Sequence, residues 1–298
     1  MIEYIIPFFR PPSEGKSFIL QATIGCSHNE CTYCAMYRKD EQRFRARPMA
    51  EIKKIIDEAS EFGHITDRVF IGDGNALVLS QKKLVEILEY LNLKCVRLAR
   101  IRMYANVGDI IRKGVDKLKE LRNLGLDMVY IGFESGDDVV LERIRKGANF
   151  EETVRASRVL KEAGIKNSAM VLLGVGGLDR SREHAYATGK LLTDSDPEYV
   201  GALSLQLRPG APIYKEWEEG RFKLPDKFQM IQELEIMVEN TILTDGYFFS
   251  NHISNYLPIK AKFPRDKESV LSRIREVLES KDEKYLRPDF YRDVINQY

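Results

Sequence analysis

Six short apolar runs rich in β-branched residues recur along the chain, with amphipathic stretches between them, and this alternation narrows the possible folds more than any other feature. The runs read as strands near 18–24 (FILQATI), 67–71 (DRVFI), 95–101 (CVRLARI), 127–133 (DMVYIGF), 167–173 (NSAMVLL) and 199–206 (YVGALSLQ). Consecutive runs start 28 to 49 residues apart, and one βαβ unit takes about 30 residues. The stretches between them carry helical periodicity. Ile52, Ile55, Ile56, Ala59 and Phe62 make one stripe, Leu84, Ile87, Leu88 and Leu91 a second, and Leu118, Leu121 and Leu124 a third. Gly125 and Gly164 are placed to cap helices at their C-terminal ends. A βα array of this kind folds as a doubly wound sheet or as an incomplete barrel, and both put ligands at the C-terminal ends of the strands.

The rhythm changes after Pro209-Gly210. Phe228, Ile231, Leu234 and Val238 predict a long helix, and Leu271, Ile274 and Leu278 a last one. Between them lies an irregular polar and aromatic stretch, GYFFSNHISNYLPIK. The expected organisation is an N-terminal extension over 1–17, a βα core over 18–211 and a C-terminal helical extension over 212–298 that packs on the core.

Charge excludes some functions. The 298 residues carry 46 basic and 45 acidic side chains, a net charge of +1, so there is no whole-chain field to attract nucleic acid. No apolar run reaches the roughly 20 residues that span a bilayer. The start, MIEYIIPFFRPP, lacks a charged n-region and is broken by Pro7 and Arg10, a poor signal peptide. These features set the expectation of a cytoplasmic protein with no membrane partner. Arg38, Lys39, Arg43, Arg45 and Arg47 form a basic run opposed only by Asp40 and Glu41. It reads as a solvated face, with steering of an acidic substrate or a reductase as the alternative.

Three of the four cysteines fall within nine residues, Cys26, Cys31 and Cys34, on a segment that starts where the first strand stops. A disulfide framework would be spread more widely, whereas such a cluster suits a metal site. Three thiolates on one loop can hold three irons of a cubane cluster and leave the fourth iron open. Structural zinc, with His28 completing a Cys3His set, is the other reading the residues leave open. Cys95 stands alone in an apolar run and reads as a buried, inert thiol.

The remaining strand ends carry polar and glycine-rich turns: Ile71-Gly72-Asp73-Gly74-Asn75, Gly132-Phe133-Glu134-Ser135-Gly136 followed by Lys146-Gly147, Leu173-Gly174-Val175-Gly176-Gly177, and Gln206-Leu207-Arg208-Pro209-Gly210. With the cysteine loop, these motifs resemble the radical S-adenosylmethionine superfamily, over roughly residues 18–215. The usual spacing in that loop is three residues then two; here it is four then two. The Pro-Gly end after the sixth strand resembles the elongator-like and oxygen-independent coproporphyrinogen oxidase-like branches, and the tail motif from Ser250 to Pro258 resembles an uncharacterised single-cluster subgroup.

The resemblance implies an α/β fold of the partial (β/α)6 TIM-like barrel type with a small C-terminal helical extension. It implies one [4Fe–4S] cluster on Cys26, Cys31 and Cys34, and bound S-adenosylmethionine. Tyr33 matches the position near the adenine, and Gly72, Asp73, Gly74 and Asn75 the element that holds the methionine amino group. Glu134 matches the residue that binds ribose hydroxyls, with Ser135 beside it. Gly174 belongs to the stretch that resembles the glycine element beside the adenine and methionine, and Leu207, at the end of the sixth strand, is expected among the cofactor-binding residues. The implied chemistry is reductive cleavage to methionine and a 5′-deoxyadenosyl radical that takes hydrogen from an unknown small-molecule substrate. An external donor such as flavodoxin or ferredoxin supplies the electron, and the cofactor carries the hard chemistry. Arg208 and His252 are expected to face the substrate, with the tail covering the open side of the barrel. With only Cys95 outside the loop, and no extension of the size of a cobalamin domain, a single-cluster enzyme is expected. A non-catalytic zinc protein and a cluster protein serving only electron transfer or scaffolding are the competing functions.

Overall fold

The computed structural model describes residues 2–61, 63 and 67–289. The chain opens with β1 (Phe18–Gln21), then a two-stranded ribbon of β2 (Thr23–Ile24) and β3 (Arg45–Ala46). There follow α1 (Met49–Glu61), β4 (Arg68–Gly72), α2 (Gln81–Lys94), β5 (Arg100–Tyr104), α3 (Val107–Asn123) and β6 (Leu126–Glu134). The second half runs α4 (Asp138–Arg143), α5 (Phe150–Ala163), β7 (Lys166–Leu173), α6 (Ser181–Ser195), β8 (Tyr199–Ser204), α7 (Pro212–Glu218), α8 (Lys227–Glu239), β9 (Gly246–Phe249), β10 (Lys260–Phe263) and α9 (Lys267–Ser280). The principal sheet takes its eight strands in chain order. β1 and β4 to β8, each joined to the next through helix, are the expected (β/α)6 array.

Two compact units divide the chain. One comprises Met1–Asn29, Met36–Ile131 and Arg158–Asn167, the other Glu30–Ala35, Gly132–Ser157 and Ser168–Tyr298. The division falls within β6 and β7.

In the first unit β1, β4, β5 and β6 pair in parallel, with Phe18 opposite Val69, Arg68 opposite Arg100 and Tyr104 opposite Tyr130. A parallel sheet covered by helices is buried on both faces, and Val69, Phe70, Ile71 and Ile101 are fully buried. α1 buries Ile52, Ile55, Ile56 and Ala59, and α2 buries Leu84, Ile87, Leu88 and Leu91. Each buried Ile or Leu among them contributes about 1.5–3 kcal/mol. Phe62, the last of the expected first stripe, lies outside the described residues. Leu124 caps α3 instead of continuing its stripe. Gly125 and Gly164 follow α3 and α5 with φ of 103° and 72°, as C-terminal caps require.

In the second unit β7 and β8 are parallel from Ser168–Tyr199 to Leu173–Ser204. β9 joins β8 in parallel, and β10 returns antiparallel to β9. Here the structure corrects one reading: the stretch from Gly246, expected to be irregular, begins with a strand between the helices of the C-terminal extension. Its neighbouring aromatics explain this, because Phe248 stacks on Phe263 of β10 at 5.3 Å while Tyr247 points the other way, toward Tyr199. α8 and α9 form as expected, α8 with an Asp226–Gln229 capping box.

A second correction concerns 95–101. α2 runs to Lys94, Cys95 caps it by donating from its backbone to Leu91 O, and Val96 is 95% exposed. The strand begins only at Arg100. The apolar letters from 95 to 98 thus end a helix and turn the chain, a helix–strand ambiguity that short apolar runs do not resolve.

Candidate active site

The first unit holds Cys26 and the turn after β4. Asp73 is only 2% exposed. The Tyr37 hydroxyl donates to Asp73 Oδ1 at 2.5 Å, Gln21 Nε2 donates to Oδ2 at 3.3 Å, and the backbone amides of Gly25 and Phe9 also donate to the carboxylate. Its own backbone N–H donates to Thr23 Oγ1 at 2.8 Å. Burial pushes the Asp73 carboxyl up despite these donors, and burial and the adjacent Asp73 charge raise Tyr37. The Asp73 carboxylate is therefore committed to bracing Gly25 and Tyr37, which flank the cysteine loop in sequence.

Asn75 is committed in the same way. It is fully buried, donates from Nδ2 to Ser27 Oγ (2.8 Å) and Asp109 Oδ2 (2.5 Å), and accepts the Asn106 amide on Oδ1 (3.2 Å). Between the two residues, Gly74 leaves room for the loop. A Cβ there would sit 2.7 Å from the Tyr37 ring and 2.9 Å from Cys26 Cβ, closer than side chains tolerate. Gly72 ends β4, and its carbonyl accepts the Ala22 amide. Of the basic run, Arg47 turns inward to Glu51, Gln21 and the Glu3 carbonyl, while Arg38, Lys39, Arg43 and Arg45 are exposed.

The second unit holds Cys31, Tyr33 and Cys34. Thr32 anchors this turn: its amide donates to Ile144 O at the end of α4, and its carbonyl accepts Ile213 N in α7. Cys34 N donates to Cys31 O at 3.2 Å. Tyr33 and Leu207 pack on one apolar cluster that includes Leu141, Ile144, Val175, Leu205 and Ile213. The Tyr33 hydroxyl is bonded to Glu134, and burial first, then that carboxylate, raises its pKa far above the usual range.

Glu134 ends β6 with φ of 62°, a left-handed conformation that is uncommon outside glycine. Lys146 Nζ donates to its Oε1 at 3.1 Å. A Cβ at Gly132 would fall 2.0 Å from that oxygen and 2.8 Å from Nζ, so a side chain there would displace the pair. Ser135 is fully buried; its hydroxyl bonds His184 Nδ1 at 2.8 Å and accepts the Asp137 amide at 3.0 Å. The Gly174 amide donates to Glu233 Oε2 at 2.6 Å, and Ser181 Oγ donates to Oε1 at 2.7 Å. Glu233 is completely buried and pushed up to about 7, while burial holds His184, 4.0 Å away, down to about 4. Arg208 and His252 are both half-buried in this unit.

None of the four cysteines is in a disulfide. Cys95 is 7% exposed and its thiol is raised by burial, whereas the three loop cysteines are half-exposed. Among the described residues no three His, Cys, Asp or Glu side chains are placed to share one metal ion. A cubane makes a different demand, since each thiolate takes a separate iron.

Sequence reasoning passed over Gln21, Tyr37, His184 and Glu233. Their partners lie 36 to 59 residues away in the chain, so no spacing marks them. Lys146 did carry a signal, the Lys-Gly pair that follows the Glu134 motif.

A parallel βα fold with a cysteine loop after its first strand and glycine-rich turns after later ones defines a cofactor-dependent α/β enzyme. Residues 20–192, more than half of the chain, match the Radical SAM superfamily, and the chain belongs to that superfamily. Members bind a [4Fe–4S] cluster and S-adenosylmethionine. The heme chaperone HemW of Bacillus subtilis is 27% identical over 175 residues, which cover 57% of this chain and 45% of HemW. Coproporphyrinogen III oxidase (HemN) from Escherichia coli, a radical SAM enzyme, shares the fold at a TM-score of 0.54 and 14% identity, over 75% of this chain and 51% of HemN. The methyltransferase TsrM from Kitasatospora setae, solved with cobalamin and a [4Fe–4S] cluster bound, aligns at a TM-score of 0.54 and 20% identity, over 68% of this chain and 39% of TsrM. HemW in sequence and HemN in fold agree with the branch the Pro-Gly strand end resembles. The chain spans less than half the length of the curated relatives it matches. No helix among the described residues is long and apolar enough to cross a membrane.

Proposed function

We propose that Cys26, Cys31 and Cys34 hold one [4Fe–4S] cluster, and that the chain cleaves S-adenosylmethionine reductively to abstract a hydrogen atom from a small-molecule substrate. The observation that carries this is the contrast among the thiols: three half-exposed on one nine-residue loop, the fourth buried at a helix end. The thiolate is the ligating form, and burial pushes the Cys95 thiol up.

A cluster held by Cys26, Cys31 and Cys34 would supply, once reduced by an external donor, the single electron that reductive cleavage of the S-adenosylmethionine sulfonium requires. The chain's own residues bind, orient and exclude water. Tyr33 and Leu207 offer an apolar wall for the adenine. Glu134 receives ribose hydroxyls: a carboxylate has about four acceptor positions, and Lys146 and Tyr33 engage it without exhausting them. The methionine end is held by backbone groups of Gly72 to Asn75, because the Asp73 and Asn75 side chains are already committed. Ser135, buried and bonded to His184, steadies the turn that carries Glu134, and Gly174 shapes the turn after β7. Flavodoxin or ferredoxin fits as the external donor.

Anaerobic reconstitution with iron and sulfide tests the reading. About four irons per chain, and 5′-deoxyadenosine formed with dithionite, are expected. A colourless protein with one zinc, or a cluster without cleavage, would overturn it.

A further inference from the structure

We propose that a slot over Gly201, framed by Tyr199, Met170, Leu203 and Phe249, takes a planar aromatic ring, single or fused bicyclic, of the molecule this enzyme acts on. The inference deepens the radical-enzyme reading and rests on it for the role of the site; the slot itself stands on geometry within the second unit.

The strands of this unit bury one face and leave the other open to water. Along β8, Val200, Ala202 and Ser204 are buried, while Tyr199, Gly201 and Leu203 alternate with them and are partly exposed. Register carries the open face across the sheet. Gly201 lies opposite Met170 of β7 and Phe249 of β9, and Tyr199 lies opposite Tyr247. Met170 and Phe249 are partly exposed and Tyr247 is 40% exposed, whereas Phe248, between Tyr247 and Phe249, is fully buried. Parallel sheets are ordinarily covered on both faces. Exposed apolar rings carry a hydration cost that a bound ring removes.

Gly201 opens a gap in the middle of that face. Glycine weakens a strand interior, and it occurs there at bulges, at tight bends or where another group approaches closely. Here the pairing with β7 and with β9 runs in unbroken register, and Gly201 is not among the glycines with positive φ. A Cβ on it would meet only Ala169 O, at 4.0 Å, among the described residues. Backbone and packing would therefore accept a side chain, and what the glycine preserves is space. Tyr199 and Leu203 stand four residues apart, about 13 Å along the strand, and Met170 and Phe249 two strand spacings apart, about 10 Å. That frame suits a single ring or a fused bicyclic one.

The walls favour a flat, unsaturated group. The Tyr199 and Tyr247 rings lie within 11° of parallel with centroids 5.8 Å apart, and the Tyr247 and Phe249 rings within 3° at 6.0 Å. Such a row offers offset-stacked and edge contacts to a further ring, and the Met170 thioether across the gap is a polarizable neighbour for one. Toward the C-terminal end of β8, Leu203 and its register partner Leu172 join the apolar cluster on which Tyr33 and Leu207 pack. Gly201 is two residues, about 7 Å of strand, from Leu203, so the slot adjoins the wall offered to the adenine.

The test is calorimetric titration of the purified full chain with indole, with benzyl alcohol and with cyclohexylmethanol, the saturated counterpart of benzyl alcohol. Saturable binding of both aromatic probes is expected, benzyl alcohol about twofold to tenfold tighter than cyclohexylmethanol. Gly201→Val fills the gap with a residue suited to strands. It should weaken indole binding about tenfold or more, as overfilling a site does, and melt no lower than the parent. Phe249→Leu keeps the wall apolar but removes a ring, and should narrow the preference for benzyl alcohol over cyclohexylmethanol. Tyr186→Leu on α6, an exposed aromatic away from this face, should bind as the parent does. If Gly201→Val melts below the parent or fails to fold, Gly201→Ala and Phe249→Leu carry the decision. No saturable indole binding by the parent, equal affinity for benzyl alcohol and cyclohexylmethanol, or parental indole affinity in a folded Gly201→Val, overturns the slot. Dithionite-driven 5′-deoxyadenosine formation by the reconstituted parent is measured separately. Failure there with intact indole binding removes the radical reading and leaves the ring site, and the reverse removes only the ring site.

Discussion

Tyr37 and Asp73 meet through a 2.5 Å hydrogen bond between residues 36 positions apart in the chain. One lies just past the cysteine loop and the other just past β4, so the bond fastens the loop to the sheet. Tyr37→Phe deletes the donor and leaves a buried carboxylate with Gln21 and two amides. A loss of about 1–3 kcal/mol is expected, read by urea denaturation. Weaker iron retention after reconstitution should accompany it.

Gly74→Ala probes the same region by volume. Its Cβ would meet the Tyr37 ring and Cys26 Cβ inside 3 Å, so the loop must shift. We expect iron content to fall well below that of the parent while circular dichroism keeps the α/β signature.

The cysteines separate by position. Cys26→Ala, Cys31→Ala and Cys34→Ala should each abolish cluster retention. Cys95→Ala, at the buried end of α2, should keep full iron content at a modest cost in stability. Equal iron loss in the Cys95 variant would contradict the assignment.

Glu134→Ala should weaken S-adenosylmethionine binding about tenfold or more, the scale of a charged hydrogen bond, with the cluster intact. It also deprives Lys146 of its partner, so Glu134→Gln is the milder companion. Calorimetry on the reconstituted protein decides, and unchanged affinity in both variants would remove the ribose role.

Glu233 and His184 oppose one another as pH changes. Glu233 is raised from 4.5 to about 7, so the folded state binds its proton more tightly and that contribution is lost as pH rises through 7. His184 is lowered from 6.5 to about 4, so its contribution is lost as pH falls through 6.5 toward 4. Each is of order 3 kcal/mol, and between about pH 4.5 and 6.5 they cancel in large part. Glu233→Gln leaves His184 alone and should make stability fall more steeply on acidification across that window. Parallel pH profiles for the parent and the variant would count against it.

The βα array was legible because strand and helix periods are local, and a chain that buries both faces of a sheet must write them out in its apolar residues. The cysteine loop was legible because three ligand residues within nine positions need no tertiary contact to be seen together. Cys95 to Leu98 misled because the same apolar letters serve a helix end as well as a strand. The strand at Gly246–Phe249 was missed because Phe248 becomes a core residue only once Phe263 is stacked on it.

What only the tertiary structure decided is which polar groups at the strand ends remain available. From the sequence, Asp73, Asn75, Glu134 and Ser135 look alike as polar residues in glycine-rich turns. In the fold, Asp73, Asn75 and Ser135 are turned inward and bonded to Tyr37, Asp109 and His184, while Glu134 keeps acceptor capacity beside Lys146. A buried polar atom must find a partner, and those partners come from segments 34 to 49 residues distant. Local sequence determines where such a turn falls; only long-range packing determines which of its side chains are spent on holding it.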